Sequence, residues 1–465
     1  MTIWIPDLSK HDGPRYLAIA KALAADVENG RLPPGSRLPT HRDLAYRLGV
    51  TVGTVSRAYR EAQRNGLTAG EVGRGTYVRG DGDDGKTGPI LALDEARRPG
   101  LIDFSVNLPV MGASSQAFAD ALAQLARTEG LDQLLEYQPD RGLARHRAAG
   151  AKWIERSGVA APPERVIVTN GAQHGMHVVF SAIARAGDVV LTESFTYPGM
   201  TELADHLGIR VVGVAMDQDG LVPDLLEEAC RLHRPRAIYM MANLQNPTTA
   251  VMPEDRRRAI ADIARRNEVM LVDDDVYGFL PPERPPSIAY YAPEITFHVT
   301  SLSKSVAPGL RLGHVLAPDG YAARIGAMVR SSCRMAGPVT AEIGTRWIED
   351  GTADRMAQFQ CQEVRARQKI AGRYLAGFDY DTKPDSFHLW LHLPEPWRAD
   401  EFTAHARARN VIVLPAAFFA VGRTAPPHAV RICLGAVRDR DQVEKGLGIL
   451  ADILAQPSQS LPSVI

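Results

Sequence analysis

A lysine flanked by hydroxyls and an arginine is the feature of this sequence with the clearest chemical potential. Lys304 lies in the segment SLSKSVAPGLRLG (301–313), together with Ser301, Ser303 and Arg311. A lysine amine becomes a nucleophile once desolvation or a nearby cation lowers its pKa. Two hydroxyl donors and one forked guanidinium are suited to hold a phosphate group. Taken alone, Ser-x-Ser-Lys indicates only an exposed lysine, so other motifs must support the interpretation.

An acidic run ends an apolar, strand-like segment thirty residues upstream. The segment LVDDDVYGF (271–279) contains Asp273, Asp274, Asp275 and Tyr277. Three adjacent carboxylates admit a metal site as one interpretation. The other is a single carboxylate that keeps the ring nitrogen of a bound cofactor protonated.

Three turns further upstream carry polar groups of the same kind. The turn TNGAQHG (169–175) follows a strand and opens a helix, so Gly171, Ala172 and Gln173 would present backbone N–H groups and one side chain to a phosphate. The turns ESFTYPG (193–199) and NLQNPTT (243–249) supply Tyr197 and Asn246. Read singly, these motifs indicate only a strand-to-helix turn, a packed tyrosine and an Asn-Pro turn.

Spread over more than 130 positions, these motifs together resemble those of fold type I aminotransferases, which use pyridoxal 5′-phosphate (PLP). The resemblance implies that Lys304 forms the internal aldimine with the cofactor aldehyde. The family pattern places an Asp three residues before a Tyr, which selects Asp274 for the pyridine nitrogen and Tyr277 for the 3′-oxygen. The remaining implied contacts are Asn246 to the 3′-oxygen, Tyr197 stacked on the ring, and Gly171, Ala172, Gln173, Ser301, Ser303 and Arg311 to the phosphate.

Two outlying residues extend the resemblance. Tyr137, in EYQPDRGLARHR, resembles a tyrosine that reaches the phosphate of the neighbouring subunit, which implies a homodimer. Arg431, in AVRICLG, lies on a late strand where aminotransferases place the arginine that binds a substrate α-carboxylate. Bidentate Arg–carboxylate pairing suits an amino compound. Arg438 is the alternative for this role.

The elements that must position these residues alternate along the chain. Apolar strand-like runs at 165–171, 187–193, 236–243, 268–275 and 295–301 are separated by longer amphipathic stretches. This alternation predicts an α/β fold with a mainly parallel sheet between helices. Residues 101–455 resemble a complete aminotransferase domain of fold type I.

A smaller module of a different kind is predicted for residues 12–79. Its first helix, 15–29, places Leu17, Ala20, Leu23, Ala24 and Val27 on one face and ends at Gly30. Thr40 and Thr51 are placed to cap two further helices, the first of which Gly49 closes. The second buries Val55, Ala58, Tyr59 and Ala62 and runs until Asn65-Gly66. Two short strands around the segment 73–75 then predict a wing, so the layout is a winged helix-turn-helix.

The pattern LPTHRDLAYRLGVTVGTVSRAYREAQRNGL…GRGTYV resembles the DNA-binding domain of the GntR family of regulators. Hydroxyls at helix starts bind phosphate and arginine forks onto guanine. The resemblance assigns DNA contacts to Thr40, Arg42, Thr51, Thr54, Arg57, Arg74 and Gly75. The chain has Val52 and Gly53 where the family often has an arginine, and an apolar Val52 would suit a thymine methyl.

Charge separates the two modules. Residues 1–80 carry 12 Lys and Arg against 7 Asp and Glu, whereas the whole chain carries 53 against 54. A basic module on an acidic body indicates a local polyanion-binding surface. Residues 80–100 are rich in Gly and Asp and predict a flexible linker.

The order of winged helix, linker and aminotransferase-like domain resembles the MocR subfamily of GntR regulators. The resemblance implies a PLP-dependent regulator of transcription that binds double-stranded promoter DNA and responds to PLP, or to a small amino compound that forms an aldimine with it. An active aminotransferase with an autoregulatory DNA-binding module is the alternative, because both need the same cofactor contacts. A PLP-binding protein without a DNA function is the remaining one.

Bulk properties place the protein among cytoplasmic, globular ones. No apolar run approaches the roughly 20 residues that cross a bilayer, and the first residues contain no apolar signal segment. We therefore expect no membrane association. The cysteines are scattered without metal-ligand spacing, which predicts thiols in a reducing compartment and no metal site.

Overall fold

The structure, a computed structural model, describes residues 4–8, 14–29, 31–32, 36–64, 67–71, 75–78, 100–112, 114–128, 131–281, 283–422 and 424–455. Contacts divide the chain into two compact units, residues 1–91 and 92–465. The predicted linker lies almost wholly outside the described residues, so the boundaries 12–79, 80–100 and 101–455 stay predictions. No helix in the described ranges is long and apolar enough to cross a membrane.

The first unit has the predicted winged helix-turn-helix layout. Thr40 Oγ1 accepts a hydrogen bond from the Asp43 amide at 3.2 Å, and Gly49 ends that helix with φ +62°. Thr51 Oγ1 accepts from the Thr54 amide at 3.1 Å. These caps satisfy amides that the helices themselves leave unpaired. The elements are α1 (Arg15–Glu28), α2 (His41–Leu48), α3 (Val52–Arg64) and an antiparallel hairpin of β1 (Thr68–Glu71) and β2 (Gly75–Val78).

The core of this unit confirms one predicted helix face and corrects another. The α3 positions Val55, Ala58, Tyr59 and Ala62 are buried, as their spacing predicts. In α1, the predicted Ala20 and Leu23 are buried, together with Ala18, Ile19 and Ala22, whereas the predicted Leu17, Ala24 and Val27 are half-buried. The buried face of α1 is therefore centred nearer to Ile19 than the spacing predicts. Gly30, Asn65, Gly66 and the wing tip lie outside the described residues.

The second unit is an α/β domain around a mainly parallel seven-stranded sheet, as predicted. Five of its strands coincide with the predicted apolar runs, and every residue in four of those five is buried. The spatial order is β4 (Val166–Thr169), β12 (Gly313–Leu316), β11 (Thr296–Ser301), β10 (Met270–Asp274), β9 (Ala237–Met240), β5 (Val189–Glu193) and β6 (Arg210–Val214). Only β12 runs antiparallel to its neighbours.

A second, antiparallel sheet lies later in the chain of this unit. Its strands, in spatial order, are β13 (Tyr380–Asp381), β14 (His388–His392), β17 (Ala429–Cys433) and β16 (Leu414–Pro415). Two short pairs complete the strands: β3 (Ile102–Asp103) with β15 (Val411–Ile412), and β7 (Met216–Asp217) with β8 (Gly220–Leu221).

Helices cover the sheets through apolar clusters that include strand residues. In chain order they are α4 (Ser114–Leu125), α5 (Ala144–Glu155), α6 (Ala172–Ile183), α7 (Pro198–Leu207), α8 (Pro223–His233), α9 (Glu254–Arg266), α10 (Ile288–Tyr291), α11 (Ala322–Ser332), α12 (Pro338–Glu349), α13 (Thr352–Tyr374), α14 (Ala399–Ala408) and α15 (Arg440–Ala455).

Candidate functional site

The predicted cofactor residues gather at one edge of the large sheet. They follow the carboxyl ends of the parallel strands β4, β5, β9, β10 and β11, and ligands of open α/β sheets bind at this edge. Because β12 is antiparallel, the segment that precedes it, with Arg311, reaches the same edge. The second sheet adds Arg431 from β17.

The turn after β4 brings Arg311 close to the start of α6. Gly171 caps α6 with φ +83°, and a Cβ there would lie 2.6 Å from Arg311 Nη2. Arg311 itself donates to the Asn170 carbonyl at 3.2 Å. The first amides of α6, from Ala172 onward, have no partner within the helix and carry its positive dipole end. Only glycine fits between this arginine and the turn.

Three of the predicted phosphate ligands, Ser301, Ser303 and Gln173, make contacts within the protein. Ser303 donates its backbone N–H to Ser301 Oγ at 3.3 Å, and both serines are buried. The Gln173 side chain donates to the Gly199 carbonyl at 2.8 Å, and its Oε1 atom is buried without a partner. The Gln173 side chain therefore ties α6 to the segment that carries Tyr197.

Asp274 presents one free carboxylate oxygen inside the protein. Tyr239 donates a 2.8 Å hydrogen bond to Asp274 Oδ2, while Oδ1 is buried with no partner among the described residues. Burial raises the pKa of this carboxyl to about 7. A buried acceptor without a partner is costly, so this oxygen fits a donor such as a protonated ring nitrogen.

The neighbouring carboxylates are already paired within the protein. Asp275 accepts from Ser157 and Asn243, each at 2.7 Å, and forms an ion pair with Arg284 at 3.2 Å. Asp273 accepts from Ser287 and pairs with His298. Within the described ranges, no group of side chains has the arrangement of a metal site. Asp273 Oδ1 is also buried without a partner among the described residues. Besides burial, however, the charge of Asp274 acts to raise the pKa of both Tyr197 and Lys304, so Asp274 is the member of the acidic run that lies beside the other predicted cofactor residues.

Lys304 lies next to a residue that the sequence analysis missed. Its Nζ donates to the backbone carbonyl of Asn107, in the segment after β3. Burial lowers the pKa of the Lys304 amine to about 8. A sizeable fraction of the amine is therefore unprotonated near neutral pH, which a nucleophile requires.

Asn107 connects this lysine to Tyr277, through its backbone carbonyl on one side and its side chain on the other. Its Nδ2 donates to the Tyr277 hydroxyl at 2.8 Å and to His388 Nδ1 at 3.0 Å. All three residues are buried, and burial raises the pKa of the Tyr277 hydroxyl. No local signal marks Asn107 or His388, because their partners lie 170 and 281 positions away along the chain.

Arg431 is held in place from several sides. Nη1 donates to Asn246 Oδ1 at 2.6 Å, Nη2 donates to the Ser105 carbonyl, and the guanidinium lies 4.7 Å from the Phe419 ring centroid. Its buried Nε has no partner in the part of the chain that the structure describes. The alternative, Arg438, is exposed. The structure therefore brings Arg431, and not Arg438, to the predicted Asn-Pro turn.

Two aromatic residues complete the predicted set. Tyr197 precedes α7, and burial, followed by the charge of Asp274, raises its pKa to about 12, so it stays protonated beside the acidic group. Tyr137 is 78% exposed, with Arg334 5.1 Å from its ring centroid.

The first unit exposes most of the predicted DNA-contacting residues. Thr40, Arg42, Thr51 and Arg57 are exposed, whereas Thr54 is half-buried. The Arg57 guanidinium lies 4.1 Å from the Tyr16 ring centroid. Gly75 begins β2, and Arg74 lies outside the described residues.

Comparisons with known proteins agree with both units. Residues 15–78 match the family described as bacterial regulatory proteins, gntR family, and residues 99–450 match aminotransferase class I and II. An uncharacterized HTH-type transcriptional regulator YdeF of Bacillus subtilis is 30% identical over 97% of this chain and 96% of its own length.

Two further relatives represent the regulators and the enzymes. The HTH-type pyridoxine biosynthesis transcriptional regulator PdxR of Corynebacterium glutamicum is 28% identical, covering 74% of this chain and 75% of its own. The crystal structure of LysN, an α-aminoadipate aminotransferase of Thermus thermophilus, superposes with a TM-score of 0.71 at 24% identity, covering 79% of this chain and 95% of LysN. The chain belongs to the MocR-type regulators, in which a GntR-family DNA-binding domain is joined to an aminotransferase class I and II domain that uses PLP.

Proposed function

We propose that this protein is a transcriptional regulator that binds promoter DNA with its first unit and changes its DNA affinity when PLP, or an amino compound that reacts with PLP, occupies the second. One observation carries the proposal: a buried Asp274 oxygen without a partner among the described residues lies in the same site as Lys304, whose pKa is lowered. The same chain also has a GntR-family DNA-binding domain.

The site residues fit PLP by the chemistry of their free atoms. PLP supplies an aldehyde that reacts with amines and a protonated ring that withdraws electrons. Lys304 would hold the aldehyde carbon, and Asp274 Oδ1 would accept from the ring nitrogen. Tyr277 and Asn246 would contact the 3′-oxygen, and Tyr197 would stack on the ring. The proposed phosphate contacts are Gly171, Ala172, Gln173, Ser301, Ser303 and Arg311.

Within this site Lys304 has two tasks. It would anchor the cofactor, and it would give up that position when an effector amine takes its place. Its lowered pKa allows the released amine to accept or give a proton near neutral pH. The Asn107 carbonyl accepts one of its N–H groups and so limits where the released amine can lie.

Arg431 is the proposed contact for an acidic group of the effector. Its fixed fork, supported by Phe419 and Asn246, is preorganised for a carboxylate. Each terminal nitrogen donates one N–H to a protein oxygen and has a second N–H, and the buried Nε has no partner among the described residues, so donors remain for a carboxylate.

A homodimer is part of the proposal. The exposed Tyr137 would reach the phosphate of the partner subunit's cofactor, and several exposed apolar side chains of the same region, among them Met111, Phe118, Leu122 and Leu135, would then be covered. Because promoters lie in the cytoplasm of a bacterium, we also place the protein there.

The proposed DNA contacts are those of the helix-turn-helix and its wing. Thr40 and Arg42 would bind phosphates, and Thr51, Thr54 and Arg57 would face the major groove, which the second helix of such a motif enters. Arg74 and Gly75 are proposed for the wing. A ligand in the second unit changes DNA binding only if it has different affinities for two arrangements of the protein.

An absorbance titration tests the cofactor half of the proposal. Purified protein supplied with PLP should show a visible absorption band, and one class of amino compounds should shift it. A protein that stays colourless with excess PLP contradicts the proposal.

The alternative, an active aminotransferase, is supported by the presence of all the residues that the resemblance assigns to the cofactor. A half-reaction assay separates the two. Repeated conversion of an amino acid to its oxo acid, with turnover on a second oxo acid, would establish the enzyme. A shifted band without turnover would establish the sensor.

A further inference from the structure

The side chains of Asn107 and His388 form a chain of hydrogen bonds that ends on Tyr277. His388 Nε2 lies 3.0 Å from the Gln245 carbonyl, and its Nδ1 lies 3.0 Å from Asn107 Nδ2. Asn107 Nδ2 also lies 2.8 Å from the Tyr277 hydroxyl. His388 has no role in the function proposed above, and Asn107 enters it only through its backbone carbonyl, which accepts from Lys304.

The Gln245 carbonyl determines which atom donates and which accepts in each of these hydrogen bonds. A backbone carbonyl can only accept, so His388 Nε2 must carry a proton. Burial, followed by the charge of Arg431, lowers the pKa of His388 to about 3, so the imidazole is neutral and has a single proton. Its Nδ1 is then an acceptor, and the Asn107 amide must turn its Nδ2 towards it.

This orientation leaves Tyr277 with a free proton. The Asn107 amide has two N–H bonds, of which one points to His388 and the other to the Tyr277 hydroxyl oxygen. Tyr277 is therefore an acceptor in this contact, and its O–H must be donated elsewhere. Among the described residues, the Asn107 contact is the hydrogen bond that the Tyr277 hydroxyl makes. The Asn107 Oδ1 atom points away from both partners and is buried without one.

We propose that His388 is a positioning residue that acts through the Asn107 carboxamide to commit the Tyr277 hydroxyl to donate its proton to the 3′-oxygen of the cofactor. The inference rests on the proposed function, because it needs PLP in this site. A donor directed at this oxygen stabilises its negative charge, and it does so without reorientation when the cofactor arrives.

The consequence is a shift in the pH titration of the bound cofactor. Stabilising the negative 3′-oxygen favours the unprotonated form of the nitrogen that would join Lys304 to the cofactor. Loss of the donor should therefore raise the pH at which the visible band changes. One buried hydrogen bond to a charged atom corresponds to a shift of about one pH unit or more.

The test compares two substitutions of His388 in the full chain saturated with PLP. His388→Phe keeps a ring but has neither a donor nor an acceptor, and the titration midpoint should rise by about one pH unit. His388→Gln can donate to the Gln245 carbonyl and accept from Asn107, so it should restore the wild-type midpoint. If His388→Phe acted only by disturbing the packing, His388→Gln would shift the titration midpoint just as much.

A double substitution shows whether the effect passes through Tyr277. Tyr277→Phe removes the donor outright and should raise the midpoint at least as much as His388→Phe. Adding His388→Phe to Tyr277→Phe should then cause no further rise. If His388→Phe fails to hold the cofactor, His388→Leu, which also has neither a donor nor an acceptor, serves in its place with the same expected direction.

The outcomes separate this inference from the proposed function. A wild-type midpoint in both His388→Phe and His388→Leu overturns the inference and leaves the proposed function intact. Independent, additive shifts in the double variant would do the same. A wild-type chain that takes up no PLP overturns both.

Discussion

Tyr239 holds one oxygen of the Asp274 carboxylate by a hydrogen bond and leaves the other oxygen free. The tyrosine donates to Oδ2 at 2.8 Å, and Oδ1 is buried without a partner in the described part of the chain. Tyr239 is itself fully buried on β9, and Asp274 ends the adjacent strand β10. The strand pairing thus sets the orientation of the group that we propose for the ring nitrogen.

Replacing Tyr239 with Phe should weaken the binding of PLP about fivefold to tenfold, because one hydrogen bond that orients the carboxylate contributes roughly 1 kcal/mol. Asp274→Asn should weaken it about a hundredfold, since a charged pair with the ring is lost. The dissociation constants can be measured by absorbance titration of the cofactor-free protein. Equal affinities of the Tyr239→Phe variant and the wild type would show that this contact has no orienting role.

Arg57 is proposed to read a base, and two substitutions separate this from attraction to phosphate. Arg57→Ala should weaken operator binding by more than ~1 kcal/mol and affect random DNA less. Arg57→Lys keeps the charge but loses the fork, so it should reduce the preference for the operator almost as much. Thermal unfolding is the control, because Arg57 also stacks on Tyr16. Equal losses on operator and random DNA in the alanine variant would make Arg57 a phosphate contact.

Gly53 is a glycine that the fold of the first unit does not require. A Cβ at this exposed position of α3 would meet only Thr51 Oγ1, at an ordinary 3.7 Å. Gly53→Ala should therefore stabilise the unit by up to about 1 kcal/mol through helix propensity. If this face of the helix packs closely against DNA beside Val52, the same change should weaken operator binding.

A matched control for Gly53 is Gly49, which has φ +62°. Gly49→Ala should lower the thermal midpoint, since an L-residue is strained in that conformation. A Gly53→Ala variant with a higher midpoint and unchanged operator affinity would place Gly53 away from the DNA.

Glu193 should make the stability of the cofactor-free protein depend on pH. Burial raises the pKa of this carboxyl from 4.5 to about 7. The folded chain holds a proton that the unfolded chain loses near pH 4.5, so the stabilisation is complete below that pH and is lost as the pH rises through about 7. Above that pH the loss is on the order of 3 kcal/mol.

Glu193→Gln keeps the shape of the side chain but does not titrate. Its thermal midpoint relative to the wild type should therefore rise between about pH 5 and pH 8, and Asp274, present in both proteins, contributes equally to each. A difference in midpoints that stays constant over this range would contradict the raised pKa of Glu193.

The sequence predicts the residues of the site that follow strands at fixed spacings. Lys304, Asp274 and Tyr277 belong to this group, because the carboxyl ends of parallel strands meet at one edge. Tyr239 is different, because it lies within the apolar run of β9, where the pattern predicts only that a tyrosine packs in the core. Asn107 and His388 come from separate parts of the chain, and only the folded arrangement pairs them with Tyr277.

The same limit applies to the predicted helix face of α1. The spacing of apolar residues predicts that this helix has a buried stripe, but it does not decide between Leu17 and Ile19 as its centre. Packing against α3 selects Ile19, which is fully buried. Local pattern thus fixes the type of element, whereas the partner element sets its rotation.

The claim that a ligand at Lys304 controls DNA binding is tested most directly by one titration. Binding to the DNA upstream of the protein's own gene is measured by fluorescence anisotropy, with and without an amino compound that shifts the visible band. We predict that the compound changes the dissociation constant of the wild type and of the exposed-lysine control Lys369→Ala by about fivefold or more. Lys304→Ala should bind the same DNA but show no response. An unchanged dissociation constant in the wild type, or a full response in Lys304→Ala, would contradict the account.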